Sequence, residues 1–137
     1  MIKKLALIIC FCLTIIAWGT VYAQEKATGP RFMVIDSAFC ETIPPGKKWC
    51  SQSSDQFDSS VRRVYCATKI FATGSGDIYH NWYYRGVKTD SVKLKVYTSR
   101  NYRTRSYKTI RGRAGEWKVE VTANGQVIET LKFTVTP

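Results

Sequence analysis

Apolar and polar residues alternate with a period of two along most of the chain, and no stretch beyond the N-terminal leader repeats at the 3.6-residue spacing of a helix. "RFMVIDSAF" reads as a first strand, followed by a polar, Pro- and Ser-rich loop from Glu41 to Ser60. "VRRVYCATKIF" reads as a second, with Val64, Cys66, Thr68 and Ile70 on one face. "ATGSGD" turns into "IYHNWYYR", and "RGVKTD" turns into "SVKLKVYT". In "YRTRSYKTI", Tyr102, Thr104 and Ser106 alternate with Arg103, Arg105 and Tyr107.

The last segment, "GEWKVEVTANGQVIETLKFTV", is a hairpin about Asn124-Gly125, a pair suited to a type I′ turn because both residues tolerate positive φ. Trp117, Val119 and Val121 face one way along it, and Lys118, Glu120 and Thr122 the other. About seven short strands with regular turn signals predict an all-β fold, an immunoglobulin-like antiparallel β-sandwich.

The first 23 residues interrupt this pattern. Lys3 and Lys4 precede the apolar run "LALIICFCLTIIAWG", and "VYA" ends in a small residue before the polar "QEK". That is the order of a secretory signal cleaved after Ala23. It leaves residues 24–137 as one domain, in the periplasm or released from a bacterial cell. Cys10 lacks the small residues of a lipoprotein site. Export also favours disulfides. Cys40 and Cys50 flank the turn-rich "ETIPPGKKW" and are the expected pair, with Cys40–Cys66 the alternative.

Without Lys3 and Lys4 the chain carries 19 basic and 10 acidic residues. The excess is concentrated: between Asp90 and Glu116 there are eight lysines and arginines and no acid. A patch of one sign gathers and steers polyanions. The arginine fork suits phosphate and carboxylate. A solvated strand edge guarded by cations is the competing explanation. Export argues against nucleic acid and for an anionic cell-envelope polymer, lipid head groups or an acidic protein as partner. The expected contacts are Arg103, Arg105, Lys108, Arg111 and Arg113, with Tyr97, Tyr102 and Tyr107 as aromatic neighbours. The alternative is a carbohydrate-binding or inhibitory module, with Tyr79 and Tyr83 joining those tyrosines in one platform.

Catalytic motifs are sparse. His80 is the single histidine. A dyad with Cys66, oriented by Asp77 or Asp90, would need a cleft on which all three converge. The simpler role is structural, with the His80 ring packed beside Trp82 and Tyr84 and its nitrogens bonded to backbone. Trp82 and Trp117 sit on clearly alternating strands and belong to the expected core. "GSGD" lacks the Lys-Ser/Thr of a phosphate loop, and no set of four Cys/His ligands has zinc spacing. No cofactor, metal site or enzymatic activity is expected.

Four ordered motifs, "VYCATKI", "YHNWYYRG", "YRTRSYKTI" and "GEWKVEV", with a closing "LKFTV" strand, resemble the bacterial family called domain of unknown function 2914. His80, Trp82, Tyr83 and Tyr84 fit its first aromatic motif. Arg103, Thr104, Ser106 and Lys108 fit the middle one, and Gly115, Trp117 and Val119 the last. Tyr102 and Arg105 stand where the family pattern has tryptophans, which makes this strand more cationic than the family's. The resemblance, over roughly 61–135, implies a small exported β-rich domain and brings no activity with it.

Overall fold

A computed structural model describes residues 30–137; the leader and its cleavage point lie outside the described residues. Eight strands follow in order: β1 (Phe32–Cys40), β2 (Gln56–Asp58), β3 (Arg63–Ala72), β4 (Gly76–Tyr84), β5 (Val87–Val96), β6 (Ser99–Thr109), β7 (Gly115–Ala123) and β8 (Gln126–Thr136). The extra strand, β2, lies in the segment read from sequence as loop and runs parallel to β8. Three amphipathic positions are too few to show a period.

The strands form two sheets, one ordered β1-β3-β6 and the other β2-β8-β7-β4-β5. Apart from β2–β8 every pairing is antiparallel. The chain changes sheet at every connection except β4–β5 and β7–β8. Among the described residues β5 and β6 each pair with a strand on one side only, so two open edges lie on the same flank of the sandwich.

Turn chemistry sets the hairpins. Asn124 (φ 52°) and Gly125 (φ 75°) adopt the positive dihedrals of a type I′ turn. Arg85 (φ 48°) and Gly86 (φ 81°) do the same, so the β4–β5 connection is two residues and Lys88–Asp90 already belong to β5.

Inward-facing residues make two apolar clusters. One gathers Val64, Cys66, Trp82, Trp117, Val119 and Phe133; the other Ile70, Ile78, Val96 and Val121. Following β3 and β4 from one cluster to the other crosses a buried polar belt of Thr68 and His80, joined from β6 by Thr104 and Ser106. Leu131 touches both clusters.

Candidate functional site

Alternation along β6 divides the predicted cations. Arg103, Arg105 and Tyr107 are exposed on the outer face of the three-stranded sheet, while Tyr102, Thr104, Ser106 and Lys108 turn inward. Lys108 lies 3.7 Å from Asp90 of β5, with its side chain 19% exposed. Arg111 and Arg113 are exposed in the turn after β6. They border a small hollow of about 260 Å³ with Asp90, Tyr107 and Lys108. The five residues thus form two groups, and a carboxylate offsets the second.

The first group gains members that sequence reasoning missed. Cys40 and Cys50 form a disulfide, and Cys66 is a buried free thiol. A turn at Pro44–Lys47, with Gly46 at φ 74°, sends the intervening loop back over the outer face of the three-stranded sheet. There the Lys69 ammonium lies 4.5 Å from the centre of the Trp49 ring, and Arg105 Nη1 donates to the Lys47 carbonyl at 3.3 Å. The loop carries Lys48 to the rim of a cleft of about 710 Å³ between the β5 and β6 edges. Lys95, Leu94, Tyr102, Arg103, Thr104 and Arg105 also line it. Among the described residues, none of Lys48, Lys95, Arg103 and Arg105 has a carboxylate within 4.0 Å. The expected disulfide was the available signal for Lys48, because it ties the loop to β1, in the same sheet as β6.

The tyrosines do not assemble as a single platform. β4, with Tyr79 and Tyr83, belongs to the five-stranded sheet, and β6 to the other. Tyr97 and Tyr102 meet at 5.9 Å with their planes tilted by 57°. Tyr107 instead packs on Tyr65 at 5.5 Å, with Arg63 over its ring. Coplanar rings are absent from both pairs, whose planes are tilted by 53° and 57°.

His80 is fully buried. Its ring bonds side-chain hydroxyls rather than backbone: Nδ1 is 2.7 Å from Ser106 Oγ and Nε2 is 3.2 Å from Thr68 Oγ1. Trp82 Nε1 donates to the same Ser106 oxygen at 3.1 Å, which leaves the Ser106 hydrogen for His80 Nδ1 and the ring proton on Nε2. Burial lowers the His80 pKa from 6.5 to about 4, so the ring is neutral near pH 7. Burial pushes the Cys66 thiol up, away from the reactive thiolate. Among the described residues no carboxylate bonds the histidine, and both residues are buried. The Thr104 hydroxyl, in the same belt, has no hydrogen-bond partner among the described residues.

Residues 75–135 match the model of a family described as protein of unknown function (DUF2914). Those residues belong to that family. The DUF2914 match takes in β4, β5, β6, β7 and all of β8 but its last residue, and so most of the cleft. It begins at Ser75, so "VYCATKI" and the disulfide loop with Lys48 lie outside it. An immunoglobulin-like protein from Pseudomonas aeruginosa superposes with a TM-score of 0.54 at 8% identity, over 79% of this chain and 100% of that one. The fold is therefore immunoglobulin-like. The Pseudomonas fluorescens alkylpurine DNA glycosylase AlkC, bound to DNA containing an abasic-site analogue, reaches a TM-score of 0.46 at 12% identity over 80% of this chain and 31% of that one. No curated protein matches the chain.

Proposed function

We propose that this is an exported, non-enzymatic binding domain that takes an anionic envelope component or an acidic partner protein at the basic edge of β6. The observation that carries the reading is the cluster of Lys48, Lys95, Arg103 and Arg105 around one cleft, with no carboxylate of the described residues within 4.0 Å of any of them. Uncompensated cations beside a low-dielectric wall focus a positive potential into the cleft. The arginine pair supplies planar forks for carboxylate or phosphate. The Cys40–Cys50 disulfide supports an oxidising compartment and hence export.

The test is binding to anionic phospholipid vesicles, an acidic polysaccharide and an acidic peptide at two salt concentrations. The protein would be produced from its own leader, beside the double variant Arg103→Glu, Arg105→Glu. Binding that weakens with salt and is lost in the folded variant supports the reading. Failure to bind any anion, or binding that ignores both salt and charge reversal, overturns it.

A further inference from the structure

The orientation of the β6 backbone narrows the partner. Ile110 N donates to Arg62 O at 3.0 Å, so the Ile110 amide faces the β3 side. Amides alternate sides along an antiparallel strand, and β6 stays in register with β3 from Tyr102 to Thr109. The amides and carbonyls of Tyr102, Thr104, Ser106 and Lys108 therefore face β3. Those of Arg103, Arg105 and Tyr107 face the opposite way, toward the cleft. Among the described residues no strand pairs with them.

This cleft has two ends. The Tyr97–Thr98 connection joins β5 to β6 at one, and the Lys108–Asp90 ion pair bridges them at the other. Between them runs a stretch from Arg103 to Tyr107, enough for about five extended residues at roughly 3.3 Å each.

We propose that an extended acidic segment of a partner protein adds to the free edge of β6 as a fourth strand of the three-stranded sheet. This deepens the binding reading above and rests on it. The added strand would bond the backbone of Arg103, Arg105 and Tyr107. Its alternate side chains would lie beside the Arg103 and Arg105 guanidinium groups, where carboxylates fit. The intervening side chains would face Leu94, Tyr102 and Thr104, where small apolar groups fit. The recognised pattern is acid, apolar, acid, apolar, acid. A second copy of this chain is disfavoured, because antiparallel addition of β6 to itself would set arginines opposite arginines. Edge cations of this kind discourage self-pairing while leaving the edge open to an acidic strand.

The experiment uses the full chain, produced from its leader with the disulfide intact, and four peptides: one containing Glu-Val-Glu-Val-Glu, one containing Glu-Glu-Glu-Val-Val, and two with the first sequence N-methylated at one or the other set of alternate residues. The two alternate sets of N-methylated positions are made separately, so that one set blocks the amides facing β6. The alternating peptide should bind at least tenfold more tightly than the blocked one and the block sequence. It should also slow hydrogen exchange at the amides of Arg103, Arg105 and Tyr107. Equal affinity for all the peptides with unchanged exchange at those amides would overturn strand addition and leave the anion-binding reading standing. Absence of binding to any of the peptides overturns strand addition too. If anionic vesicles and polysaccharide also fail to bind, the broader reading falls with it.

Discussion

His80 Nδ1 and Ser106 Oγ stand 2.7 Å apart, joining β4 of one sheet to β6 of the other through the middle of the sandwich. Ser106 also accepts from Trp82, so one hydroxyl satisfies two buried groups on β4. Ser106→Ala would leave both without a partner. We expect a loss of about 2 to 4 kcal/mol, since each orphaned buried group costs about 1 to 3 kcal/mol. Urea unfolding measures the loss, and nitrogen shifts of the native protein should show the Nε2-protonated tautomer of His80.

The same histidine couples stability to pH. Its folded pKa, about 4, lies below its ordinary 6.5, so the unfolded chain binds the extra proton between those values. The stability held above pH 6.5 therefore falls as pH drops toward 4, by roughly 3 kcal/mol from this group. Unfolding at several pH values in that window, with His80→Gln as reference, isolates the contribution. In the native protein the His80 ring resonances should not titrate near pH 6.5.

Thr104 is 8% exposed, and its hydroxyl has no partner among the described residues, an arrangement that costs stability in the free protein. Thr104→Val keeps the shape and removes the stranded hydroxyl. It should raise stability by about 1 kcal/mol in thermal or urea unfolding. A loss of stability would show that the hydroxyl is satisfied by water in solution.

The Cys40–Cys50 disulfide should act on both stability and binding. Closing a short loop removes unfolded-chain entropy worth about 3 kcal/mol. Replacing both cysteines by serine should lower the unfolding midpoint accordingly. It should also free Lys48 from the cleft rim and weaken binding of an acidic peptide severalfold in a titration at low salt. The fluorescence of Trp49, held beneath Lys69, should change with it.

Much of this fold was legible in the chain. Val64, Cys66, Thr68 and Ile70 face inward as their alternation implied, and so do Trp117, Val119 and Val121. Asn124-Gly125 makes the predicted turn because both positions need positive φ. β2 was not legible, since its three residues are held by β8 and not by a pattern of their own. The candidate site was only half legible. Arg103 and Arg105 share a face by period two, whereas Lys108, an odd number of residues away from each, turns inward toward Asp90.

By itself, then, the sequence determined which side chains share a face of each strand and where hairpins close. Both follow from local backbone geometry, which repeats every two residues and turns where glycine or asparagine permits. Only the tertiary structure decided that β5 and β6 lie in different sheets and leave an open cleft. It also decided that a disulfide loop brings Lys48 there, and that His80 meets hydroxyls from β3 and β6. The physical reason is that alternation specifies a face and never a partner. Strand pairing is settled by which apolar surfaces are buried together across long separations in the chain.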